Sequence, residues 1–136
     1  MHERKTPITL NCGLDLMREV LYGKWKISIL YYISQGTKRP SDLHRKIPDA
    51  TRRVLNMQIA QLEEHELIEK KVYAEMPPKV EYSLTAFGES LMPVVLLMGK
   101  WGDDNQDRLR RVILKSLNIT PEALELSEKL PNRLNG

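Results

Sequence analysis

Arg52, Arg53 and Asn56 carry the most informative chemistry in this chain. A guanidinium can donate two parallel hydrogen bonds to the major-groove edge of guanine, and a carboxamide can pair at two points with adenine. Thr51, just before them, has the side chain of a helix N-cap, and with Met57, beside Asn56 on the same segment, it is counted among the expected DNA contacts. Lys70, Lys71 and Lys79 follow downstream. Cations of this kind suit phosphates, which position a protein on a duplex without reading its sequence. Taken singly, each of these residues is an ordinary feature of a solvated face, so their meaning depends on how the chain places them.

Other chemistries fare less well. The sequence has no glycine-rich phosphate loop, no nucleophile with a partnering base and no paired carboxylates in a recognisable frame, so an enzyme is not expected. His2, His44 and His65 together with Cys12 match no metal-ligand spacing, and no metal or cofactor is implied. Cys12 is the single cysteine, which excludes an internal disulfide framework. It precedes the first helical segment, and a thiol beside a helix N-terminus can ionise more readily than usual.

The elements that hold these residues can be read from patterning. The chain has 136 residues, 41% hydrophobic and 29% charged, with a formal net charge of +3. That composition fits one compact domain with short end segments. The mild basicity permits an anionic partner without demanding one. The longest apolar run, Leu91 to Met98, contains Pro93 and falls far short of the roughly 18 residues of a membrane span. Met1-His2-Glu3-Arg4-Lys5 lacks the apolar core of a secretory signal, so a cytoplasmic protein is expected.

Leu14, Met17, Val20 and Leu21 fall at helical spacing, and Gly23 is a stop. Trp25 to Ile33 is rich in β-branched residues, but its length between Gly23 and Gly36 favours a helix. Ser41 to Ile47 forms a short helix that Pro48 cannot continue. Thr51 then caps a helix from about Arg52 to His65. Leu55, Ile59 and Leu62 make its inward stripe, so Arg53, Asn56, Met57, Ala60 and Gln61 point away and Arg52 lies on the flank. Leu67 to Glu75 is strand-like, Met76-Pro77-Pro78-Lys79 forms a rigid tip, and Val80, Tyr82 and Leu84 alternate in a second strand. Thr85 caps a long helix bearing Phe87, Leu91, Val94, Val95, Met98 and Trp101, with an interruption expected at Asp103-Asp104. Thr120-Pro121-Glu122 opens a last short helix.

The result is a mainly α fold with a small β-hairpin wing: a winged helix-turn-helix with additional N- and C-terminal helices. Residues 1–11 are expected to form a flexible arm, 12–118 the domain with its dimerisation helices, and 119–136 a short helix and tail. The long polar side chains lie at the N-terminal end of the second helix of the motif, where such helices touch base edges.

Three further stretches identify a family. Gly23-Lys24-Trp25-Lys26 enters the second helix, Leu62-Glu63-Glu64 ends the recognition helix, and Pro77-Pro78-Lys79-Val80-Glu81-Tyr82-Ser83-Leu84-Thr85 runs on to Gly88. From Cys12 to about Trp101 the chain resembles the HxlR-type winged-helix regulators, relatives of the MarR group. The resemblance implies a homodimer on an inverted-repeat operator in double-stranded DNA, with the recognition helix in the major groove and the wing beside it. It also implies, from cysteines similarly placed in several such proteins, that Cys12 senses oxidants or electrophiles. Any effector, small molecule or oxidant, is left unnamed. The sequence departs from the family at Glu66, where glycine is usual, at Pro40, where an aromatic is common, and at Gly13, where proline usually follows the cysteine. A differently built exit from the recognition helix is therefore expected at Glu66.

Leu14, Met17, Val20 and Leu21 with Leu91, Val94, Val95, Met98 and Trp101 offer more apolar surface than a small wing domain needs. They are the expected dimer interface. The alternative reading is a winged-helix module that binds another protein without sequence-specific DNA contact.

Overall fold

The computed structural model describes residues 7–129. In chain order the elements are α1 (Gly13–Leu21), α2 (Lys26–Ser34), α3 (Pro40–Lys46), α4 (Arg52–Glu64), β1 (Ile68–Tyr73), β2 (Lys79–Leu84), α5 (Ala86–Asp104), α6 (Gln106–Ser116) and α7 (Pro121–Glu128). The Trp25–Ile33 segment is thus helical. Ile29, Leu30 and Ile33 fall on one side of α2 and are buried. That burial outweighs the strand preference of their β-branched side chains.

The core is assembled from these three residues, Leu43 and Ile47 of the short-helix segment, Leu55, Ile59 and Leu62 of α4, Leu67 and Ile68 at the wing's root, and Met92 and Val95 of α5. Helix α3 begins with Pro40 at its first position and ends at Lys46, before Pro48. Thr51 caps α4 by accepting from the Val54 amide at 3.1 Å.

Strands β1 and β2 form one antiparallel pair, in register from Ile68 opposite Leu84 to Tyr73 opposite Lys79. Lys79 is therefore the first residue of β2 and not part of the turn, and the first strand ends at Tyr73, short of the expected Glu75. The Met76–Pro77 peptide at the tip is cis.

The exit from α4 differs from expectation. Glu66 does adopt the left-handed conformation, with φ of 62°. Its amide donates to the Glu63 carbonyl and that of Leu67 to the Leu62 carbonyl, both at 3.0 Å. This pair of bonds is a Schellman turn. Leu62 and Leu67, both buried, close it with an apolar contact at the position where the motif wants one. The buried closure holds a glutamate where a glycine would be less strained.

Thr85 then joins the wing to α5. Its hydroxyl donates to the Glu66 carbonyl at 2.6 Å and accepts from the Gly88 amide at 2.9 Å. A Cβ at Gly88 would overlap the Leu67 carbonyl oxygen, so only glycine lets the first turn of α5 lie this close to the wing's root. Helix α5 runs through Pro93 and ends at Asp104, at the aspartates where the break was expected, with Asn105 as its C-cap.

Candidate nucleic-acid interface

The first two turns of α4 present Arg52, Arg53, Asn56 and Met57 to solvent, Met57 with 43% of its surface exposed. The opposite stripe of Leu55, Ile59 and Leu62 is buried. Among the described residues the side chains of Arg52, Arg53 and Asn56 make no hydrogen bond or ion pair, so their donors stand free for an outside partner. Thr51 is half-buried and spends its side chain on the cap.

The inward stripe also carries Gln58, which sequence reading passes over although it lies three residues after Leu55. Gln58 is buried, and its Oε1 accepts from the Trp25 amide at 2.9 Å. It thereby ties the recognition helix to the start of α2. Gly23 makes room for it: a Cβ there would come within 3.0 Å of Gln58 Cδ and 3.2 Å of Lys26 Cδ. Lys26 is also interior, 2% exposed. Burial holds its ammonium below the ordinary lysine range, while Glu19 and Glu64 pull the other way.

The hairpin does not present its three lysines alike. Register places Lys71 and Lys79 on the face that carries Tyr73 and Glu81, and Lys70 on the other. Lys71 and Lys79 both lie over the Tyr73 ring, at 4.9 and 5.1 Å from its centroid. Lys79 further pairs with Glu81 at 3.5 Å. Lys70 is exposed and has no partner among the described residues. Tyr82 stitches the wing to the loop before α3, its amide donating to the Lys38 carbonyl at 2.8 Å.

The expected dimer residues divide. Val95 is 3% exposed and belongs to the chain's own core, against which Val20, Leu21 and Leu91 also pack. Met17 is half-buried. Leu14, Val94, Met98 and Trp101 are exposed, and Leu97, 67% exposed, joins the α5 group though sequence reading does not select it. Val94, Leu97, Met98 and Trp101 follow one another at i, i+3, i+4 and i+7, a single stripe along α5. Cys12 is exposed and occupies the N-cap position of α1 without a side-chain cap bond. Among the described residues no group of histidine, cysteine and carboxylate side chains forms a metal site, and no helix is long and apolar enough to cross a membrane.

A short helix, a tight turn, a helix with free polar side chains at its outward N-terminal end and a hairpin stitched beside it define a winged helix-turn-helix of the DNA-binding class. Residues 20–110 match the model of the HxlR-like helix-turn-helix family. The HTH-type transcriptional regulator YybR of Bacillus subtilis (strain 168) is 40% identical over 111 residues, which span 80% of this chain and 89% of YybR. YkvN of the same organism is 44% identical over 92 residues, 68% of this chain and 78% of YkvN. Among solved structures, the redox regulator HypR in its reduced form superposes with a TM-score of 0.70 at 40% identity, over 74% of this chain and 99% of that one. The chain belongs to the HxlR-like family of helix-turn-helix transcriptional regulators, whose members are not enzymes.

Proposed function

We propose that this regulator binds a specific inverted-repeat sequence in double-stranded DNA as a homodimer, with α4 in the major groove. The observation that carries the reading is the free, outward set of Arg52, Arg53 and Asn56 on the first turns of a helix whose other face is locked into the core. Arg52 and Arg53 supply paired donors for guanine and Asn56 a two-point partner for adenine, while Met57 offers apolar contact to a thymine methyl. Lys70, Lys71 and Lys79 serve the phosphates. A two-fold pair doubles these contacts on a palindromic site. The exposed α5 stripe, with Leu14 of α1, supplies a surface for the pairing.

Cys12 is the redox-responsive group in this proposal. HypR, described as a redox regulator, is the relative that supports it. Because the chain has one cysteine, its oxidation to a disulfide joins it to a thiol outside the chain. Two thiols give up two protons and two electrons to the oxidant as the bond forms.

The test is an anisotropy titration against duplexes selected from genomic fragments that co-purify with the chain, with scrambled duplexes beside them. Arg53→Ala weakens binding to the selected duplex by about 1–3 kcal/mol and relaxes its sequence preference. Equal loss on both duplexes shows that Arg53 touches only phosphate. Diamide releases the wild-type chain and leaves Cys12→Ser bound; equal release of both removes Cys12 from the proposal. Binding that barely changes between about 50 and 200 mM salt favours the protein-interaction reading instead.

A further inference from the structure

The outer face of the wing holds Lys71 and Lys79 beside two residues that the DNA reading does not use, Tyr73 and Glu81. Tyr73 stands opposite Lys79, and Lys71 stands opposite Glu81, on rungs of the hairpin separated by the Val72–Val80 rung. Both lysine ammoniums lie near the Tyr73 ring, and the Glu81 carboxylate joins the group by pairing with Lys79 at 3.5 Å. The Tyr73 hydroxyl acts on the Glu81 carboxyl, and Lys38, from the loop stitched to β2, adds its charge. These neighbours hold the Glu81 carboxyl below the usual glutamate range, the Tyr73 hydroxyl contributing most, so it stays ionised at neutral pH. The side chains of Lys79 and Glu81 are 29% and 21% exposed, so solvent still reaches the pair. Lys79 therefore already has an anion in contact. Glu69 and Glu75, the other acids of the hairpin, have no such partner among the described residues.

We infer that Glu81 is an internal stand-in for phosphate, which a duplex must displace from Lys79 before the wing can hold the DNA backbone. The inference rests on the function proposed above and adds a positioning residue that restrains it. Exchange of one anion for another on Lys79 has two consequences. It lowers affinity for every sequence equally, because phosphate carries no sequence information. It also flattens the salt dependence, because the carboxylate set free recruits a cation from solution while the phosphate loses one.

The experiment uses the full chain and a labelled duplex of scrambled sequence, titrated from about 50 to 200 mM salt. Glu81→Gln keeps the side chain's size and hydrogen bonding but removes its charge. It raises affinity for the scrambled duplex roughly two- to fivefold at the lowest salt, the scale of one exposed ion pair. The slope of log affinity against log salt steepens by up to about 0.9, the equivalent of one phosphate. Glu75→Gln, which removes the same charge from the same wing, produces a smaller gain and no comparable change of slope. In a Lys79→Met background the gain from Glu81→Gln shrinks to that of Glu75→Gln.

A Glu81→Gln chain with native circular dichroism that binds no better than wild type, or binds worse, overturns the inference and makes Glu81 an aligner of Lys79. Gains equal to those of Glu75→Gln overturn it as well, reducing Glu81 to general charge. If the wild-type chain binds neither scrambled nor selected duplex at low salt, the function proposed above falls, and this inference with it.

Discussion

Among single residues, Lys26 shows how this chain tolerates a charge in its interior. It opens α2 beside Gly23 and Gln58, and burial lowers its pKa below the ordinary 10.5 in spite of Glu19 and Glu64. An unfolded chain then holds more protons than the folded one from the lowered pKa up to 10.5, so stability rises with pH through that window. Below it the cost of the buried charge is present in full. Urea denaturation at about pH 7 and about pH 9.5 should show the wild type gaining stability more than Lys26→Met does. Equal gains would mean that burial of Lys26 carries no cost. The scan stops short of about pH 10 because Tyr82, whose pKa burial raises, reverses the sign there.

The residues legible in the sequence are those with local chemistry. Thr51, Thr85 and Thr120 cap helices as their types require. Glu66 is not legible in this way, because its own strain argues against a left-handed backbone. The apolar closure between Leu62 and Leu67 that sustains it is a matter of packing.

At the scale of elements, the joint between the wing and α5 is the most exacting. Gly88 lies against the Leu67 carbonyl, while a Cβ at Gly99 on the same helix would meet nothing within 4 Å. Gly88→Ala should therefore destabilise the chain by about 1–3 kcal/mol through overpacking. Gly99→Ala should be neutral or stabilise by about 0.5–1 kcal/mol, because alanine is the better helix former. Urea midpoints of the two variants check this, and a Gly88→Ala midpoint at the wild-type value would show that the joint can open freely.

The two long helices differ in legibility for a physical reason. Helix α4 is apolar on one side only, so its free face follows from period alone, although Gln58 hides within the inward stripe. Helix α5 is apolar nearly all round, and a period of 3.6 cannot say which stripe faces the core. That is why Val95, expected at an interface, lies in the interior, while Leu97 escapes selection. The brace around Tyr73 is hidden for another reason. It depends on cross-strand register, and a tip drawn to include Lys79 places Lys79 off its rung opposite Tyr73.

For the whole molecule, the question is what covers the stripe of Val94, Leu97, Met98 and Trp101. A second copy is the occupant in the proposed function. Light scattering at micromolar concentration should then give twice the chain's 15.8 kDa. Leu97→Glu, which places a charge on the 67% exposed member of the stripe, should shift the mass toward a single chain without loss of helix. A wild-type mass of one chain defeats the homodimer. An unchanged dimer in Leu97→Glu moves the pairing surface elsewhere.

The bond from the Tyr82 amide to the Lys38 carbonyl has a consequence at this scale. It fastens the hairpin to the loop leading into α3, while Gln58 fastens α4 to α2. On the proposed function, α4 and the wing thus act as the two jaws of a caliper. A caliper cannot adjust its gap to the object it measures, so a duplex whose grooves are spaced differently has to bend or change its groove width to fit. Base steps that deform easily would then be favoured at positions no side chain reaches.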